Sequence, residues 1–224
     1  MGFLTQNKGI KSPVTKYIEF KSNDEGFSYY DKETQGRVEV KAPFTFIALD
    51  DLVGVSGGEM DDAGQYHPVN SGIVAHVNKE LTVKKDGATI ATGKWADVKE
   101  ATKAAGGRYT AYTYAILNKE LVCFKFAGAS LASWFSKGEG DTITFKKCEE
   151  MKKGAIKYNS PIFETKELTD AEIKALDDDE NVATFKEFYE AKLAQNNSEE
   201  EETEETVAPK PNLEEDVTIE QVDF

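Results

Sequence analysis

A chain of 224 residues is long enough for one domain with its own core plus extensions, and a formal net charge of −14 would repel nucleic acid if it were evenly spread. It is not: residues 1–163 carry 22 Lys and Arg against 20 Asp and Glu, residues 164–197 carry 4 against 10, and residues 198–224 carry 1 against 11, so the acidity is C-terminal. Cys123 and Cys148 are the only cysteines, no CxxC or secretory leader accompanies them, and no run approaches the roughly 18 apolar residues of a membrane span, which points to a reduced, intracellular protein without a membrane anchor.

The alternation in TKYIEFK (Thr15 to Lys21) predicts a strand, and GFSYYD (Gly26 to Asp31), RVEVK (Arg37 to Lys41) and PFTFIALD (Pro43 to Asp50) continue in short β-rich pieces. The glycine- and acid-rich stretch from Gly54 to Gly72 predicts a long irregular loop. Asp86-Gly87 sits between two alternating runs from Glu80 to Trp95, and Asn118-Lys119 sits between RYTAYTYAIL and ELVCFKFAG; both predict hairpins. Short helices are expected over Ala96 to Gly107 and in ASLASWFSKGEG, followed by strands over Asp141 to Glu150 and Lys152 to Glu167. Thr169-Asp170-Ala171-Glu172 opens a capped helix, and Asn181 to Gln195 forms another that turns Phe185, Phe188 and Tyr189 toward a packing face. Many short strands with few helices predict a mainly β, barrel-like domain over 1–167, a helical extension over 168–197 and a disordered acidic tail over 198–224.

Signals for catalysis are sparse. There is no Walker loop, no GxGxxG after a strand and no GxSxG, and His67 and His76 lack the spacing of a metal pair. Asp50, Asp51, Glu59, Asp61 and Asp62 form an acidic cluster that a Mg²⁺-dependent nuclease would use, although acidic loops are common solvated features. We therefore expect no catalytic residue, no metal and no cofactor.

Cations and rings are interleaved instead. Arg108, Tyr112 and Tyr114 share one side of their strand, Lys125 lies across the Asn118-Lys119 turn, and further cations gather at Lys146-Lys147, Lys152-Lys153 and Lys157, the last beside Tyr158. Single-stranded nucleic acid suits such a mixture, since bases stack on rings while phosphates take the cations. Tyr and Phe are also good strand formers that fill cores, and a structural or assembly protein would use the same rings for subunit contacts. A polyanionic tail closing on Asp223 and Phe224 favours the first reading, because it would compete for a basic groove and offer a partner an aromatic anchor.

The ending EEDVTIEQVDF resembles the acidic, aromatic-terminated tails of bacterial and T7-type phage single-stranded DNA-binding proteins, without the proline of the bacterial tip. The order GIVAHVNKELTV, GKWADVKEATKAAGGRYTAYTYAIL, LVCFKFAGASLASW and KKGAIKYNSPIF, from Gly72 to Phe163, resembles phage-encoded binders of the OB-fold class, including those of crAss-like phages. The resemblance implies a five-stranded OB barrel with helical insertions and ssDNA in a basic aromatic groove. It also implies a tail that contacts phage or host replication and recombination proteins in the cytoplasm of an infected bacterium. The expected nucleic-acid contacts are Arg108, Tyr112, Tyr114, Lys125, Lys146, Lys152, Lys153, Lys157 and Tyr158, with Asp223 and Phe224 binding a protein partner.

Overall fold

The computed structural model describes residues 10–22, 26–74 and 80–204. Among these the chain forms eleven strands and four helices, so it is mainly β with added helices, as the alternating runs predict. The strands are β1 (Tyr17–Lys21), β2 (Gly26–Asp31), β3 (Gly36–Val40), β4 (Phe44–Met60), β5 (Tyr66–Asn70), β6 (Leu81–Lys85), β7 (Ala88–Gly93), β8 (Gly107–Leu117), β9 (Glu120–Ala127), β10 (Thr142–Lys153) and β11 (Ile156–Lys166). The helices are α1 (Trp95–Ala104), α2 (Ala129–Phe135), α3 (Asp170–Asp177) and α4 (Glu180–Glu204).

The sheet runs β3-β2-β1-β9-β8-β4-β5-β6-β7, with β10 and β11 branching from β4. It is an open sheet. Its parallel pair is β1 with β9. Strand β4 serves three partners: Phe44 to Ile47 pair with β10, Ile47 to Gly57 with β8, and Gly58 to Met60 with β5. The register slips between Ala48 and Asp50, a bulge where the strand passes from β10 to β8. The end of β1 meets β11 through side chains, with Ser22 Oγ donating to the Asn159 carbonyl at 3.0 Å and Asn159 Nδ2 donating to the Ser22 carbonyl at 3.1 Å.

Both expected hairpins form. Asn118 and Lys119 take φ of 51° and 65°, and Asp86 and Gly87 take 51° and 83°, the positive pair whose twist matches the flanking strands. Gly54 to Gly72 is a correction, because β4 continues to Met60 and returns as β5. Its glycines permit close approach: a Cβ on Gly57 would lie 2.8 Å from the Gly106 carbonyl, and one on Gly58 2.3 Å from the His67 carbonyl. The capping box on α3 is present, with Thr169 accepting from the Glu172 amide. Helix α4 runs on to Glu204, past the expected boundary at 198, and residues 205–224 lie outside those described.

Two cores lie on opposite sides of β8 and β9. On one side Phe27 packs against Phe44, Phe124, Phe126 and Phe145 at centroid distances of 5.6, 5.9, 6.0 and 5.0 Å, and Phe126 stacks on Trp134 at 4.3 Å. A carboxylate is held beside this core, where Thr113 Oγ1 donates to Asp51 Oδ1 at 2.5 Å and Trp134 Nε1 donates to Oδ2 at 3.0 Å. On the other side Leu52, Tyr112, Tyr114, Ile116 and Cys123 are covered by Val182, Phe185 and Phe188 of α4. These three recur at helical spacing on one face, and burying them outweighs the weak intrinsic preference of a charged helix.

Candidate nucleic-acid interface

A cavity of about 650 Å³ opens where the end of β4, the α1–β8 turn, the start of α2 and the start of β11 converge. The α1–β8 turn is fixed by its glycines. Gly106 has a φ of 83°, and a Cβ on Gly107 would sit 2.6 Å from Val69 Cγ1 and 2.8 Å from Thr102 Cγ2. From this anchored start β8 alternates, so Gly107 and Tyr109 turn inward and Arg108 stays exposed at the cavity. The Arg108 guanidinium has no hydrogen-bond or ion-pair partner among the described residues, and its Nη1 lies 3.8 Å from the position of a Cβ on Gly128.

Aromatic and aliphatic groups make the walls. Tyr109 packs on Trp95 at a centroid distance of 5.0 Å, and burial pushes its phenol well above the ordinary value. The Trp95 Nε1–H is buried and has no acceptor among the described residues. Ile156, 70% exposed, and the half-buried Tyr158 bring in the β10–β11 hairpin.

Of the nine expected nucleic-acid contacts, Arg108 and Tyr158 line this cavity. Lys152 and Lys157 face each other across the β10–β11 ladder next to Ile156. Lys157 Nζ donates to Glu150 at 2.8 Å, whereas Lys152 has no ion-pair partner among the described residues. The side chain of Lys153, together with Asp223 and Phe224, lies outside the described residues.

Four expected contacts sit elsewhere. Tyr112 is 7% exposed and Tyr114 0%; α4 covers Tyr114, which lies 5.0 Å from Phe185 and 5.2 Å from Phe188, and Tyr112 is buried in the same core, so neither ring is open to stack on a base. Lys125 Nζ donates to Glu19 at 2.6 Å and lies 5.9 Å from the Tyr112 ring. Burial raises the Glu19 carboxyl, but Lys125 foremost, with Lys21 and Arg37, holds it below the usual carboxylate range. Lys146 of β10 pairs with Glu164 of β11 at 2.9 Å, away from the hairpin tip. These lysines are already neutralised in part, which the sequence does not reveal because their partners are distant in the chain.

The residues that sequence reasoning missed are Trp95, Lys103, Tyr109 and Ile156. Trp95 and Lys103 come from the two ends of α1. The available signal was Ile156 itself, an aliphatic residue at the tip of the otherwise basic KKGAIKY turn.

The acidic cluster divides among separate roles. Asp51 is held by Thr113 and Trp134, Glu59 pairs with Lys85, and Asp61 caps its own turn by accepting from the Ala63 and Gln65 amides. Among the described residues no three His, Cys, Asp or Glu side chains form a group that could hold a metal ion. His67 joins two hairpin turns, its Nδ1 2.7 Å from Asp86 and its Nε2 3.2 Å from Asp61, and these carboxylates raise its pKa above the ordinary value. His76 lies outside the described residues. No described helix is long and apolar enough to cross a membrane. Comparison with protein-family models, with curated proteins and with solved structures finds no match to this chain.

Proposed function

We propose that the protein is a non-catalytic single-stranded DNA-binding protein of phage type, built around an OB-like unit, that coats ssDNA during replication, recombination or repair. The order of β4, β8, β9, α2, β10 and β11 supports the OB reading: a long first strand pairs with both the second and the fourth, and a helix sits between the third and the fourth. OB folds bind oligonucleotides on strands 2 and 3 and between the loops joining strands 1–2 and 4–5. Here α4 covers the outer face of β8 and β9. That leaves the cavity between the β4–β8 insertion and the β10–β11 turn. The observation that carries the proposal is the placement there of an exposed Arg108, with no partner among the described residues, beside the half-buried Tyr158, with the buried Tyr109 and Trp95 as the wall behind them. Rings for bases and cations for phosphates are what a sequence-tolerant single-strand binder needs. The acidic tail, tipped by Phe224, competes for this basic site and recruits replication or recombination proteins in the cytoplasm of the infected host.

Replacing Arg108 by alanine tests the site. Titration with labelled oligo-dT across a salt series is expected to show weaker binding at low salt and a log-log salt slope less negative by about 0.7, the loss of one single-strand phosphate contact. An Arg108→Ala protein with wild-type affinity and slope would remove the cavity from the DNA path.

A further inference from the structure

We infer that the cavity at Arg108 is a pocket for one unstacked nucleotide, and that admission of this base is what makes the protein prefer single strands to duplex. The inference rests on the ssDNA-binding proposal and deepens it. The cavity's volume of about 650 Å³ falls within the roughly 300–1,000 Å³ of pockets that enclose small molecules. In a chain of net charge −14, the described residues lining it include Lys103 and Arg108 but no Asp or Glu. That charge balance fits a phosphate outside and a neutral ring inside. Trp95, Tyr109, Leu131 and Ile156 supply apolar wall. The Trp95 N–H is not part of this surface: it is buried behind the wall without an acceptor among the described residues.

Glycines fix the walls. Gly58, Gly106, Gly107 and Gly128 all line the cavity, and a Cβ on Gly58, Gly106 or Gly107 would come within 3.0 Å of packed neighbours, so these backbone segments sit closer to the rest of the protein than ordinary residues would allow. A base in a duplex is stacked and paired, and extracting it costs a few kcal/mol, whereas a base in a flexible single strand enters without that penalty. The pocket therefore discriminates by the state of the strand.

The test fills the cavity without touching Arg108 or Lys103. Ala129, the first residue of α2, lines the pocket and is half-buried, so Ala129→Trp projects an indole into the space. Wild type and variant are titrated with oligo-dT and with an equally long abasic deoxyribose-phosphate strand. Wild type is expected to bind oligo-dT roughly tenfold more tightly than the abasic strand. Ala129→Trp is expected to lose that preference while keeping its abasic affinity. Should Ala129→Trp not fold, judged by its melting profile, Ile156→Ala replaces it, since Ile156 is 70% exposed and its loss removes wall rather than core; a severalfold loss on oligo-dT alone is expected. Wild-type protein that binds both strands equally, or a folded variant that keeps the full oligo-dT preference, overturns the pocket and leaves the binding groove standing. Wild-type protein that binds neither strand overturns the ssDNA proposal itself.

Discussion

Tyr114→Ala is expected to destabilise the protein by about 3–5 kcal/mol, the range for emptying a large aromatic site in a core. The ring is 0% exposed and lies 5.0 Å from Phe185 and 5.2 Å from Phe188, and its hydroxyl is 3.2 Å from Ser12 Oγ. Removing it opens a void between the sheet and α4, and little can collapse into that void because β8 is held on both sides by β4 and β9. A loss of this size lowers the melting temperature by roughly 6–20 °C in a protein of this length. Affinity for ssDNA per folded molecule should stay unchanged, because the cavity at Arg108 lies elsewhere. Tyr114→Phe, which keeps the packing and removes only the hydroxyl, should cost about 0.5–1.5 kcal/mol. An alanine variant that melts like wild type but binds ssDNA weakly would put Tyr114 back in a groove and would mean that α4 lifts away when DNA binds.

Deleting Ser198 to Phe224 is expected to raise apparent ssDNA affinity roughly tenfold at low salt, with the gain fading as salt increases. The segment carries 11 acidic residues against one lysine, and tethering holds it at high effective concentration beside any basic site on the same chain. The cut begins beyond Val182, Phe185 and Phe188, which pack α4 on the sheet, so stability should change little. Phe224→Ala separates the two proposed roles of the tail. It leaves the polyanion intact, so DNA binding should hardly move, while recruitment of a polymerase, helicase or recombinase should fall with loss of the apolar anchor. Equal affinity of full-length and truncated protein at every salt concentration would refute self-competition.

Much of the β scaffold was legible because its rules are local. Positive-φ turns at Asp86-Gly87 and Asn118-Lys119, the alternation of Phe124 and Phe126 with Cys123 and Lys125, and the Thr169 capping box each act within a few residues. What alternation cannot tell is whether the second face of a strand meets water or another element. Tyr112 and Tyr114 were separated correctly from Tyr109 and Ala111, yet α4, about 70 residues later in the chain, turned that outer face into a second core. The glycines after Gly54 were misleading for the opposite reason: here they let two backbones pass closely instead of breaking a strand.

The candidate site was legible only in part. Arg108 and Tyr158 were named from the mixture of charge and ring, but Trp95, Lys103 and Ile156 converge with them only through tertiary packing. The same packing took Lys125 and Lys146 out of the list of simple free cations, through Glu19 and Glu164.

The central claim is that this domain binds single strands in preference to duplex by a physical mechanism, without cleaving them. Its most direct measurement is a titration of the full chain with labelled oligo-dT and with duplex of equal length, in a salt series with and without Mg²⁺. We expect tighter binding to oligo-dT than to duplex by at least about tenfold, a steep loss of affinity with salt, and intact DNA throughout. Absence of oligo-dT binding at low salt, even for the protein lacking Ser198 to Phe224, would contradict the account, as would Mg²⁺-dependent cleavage.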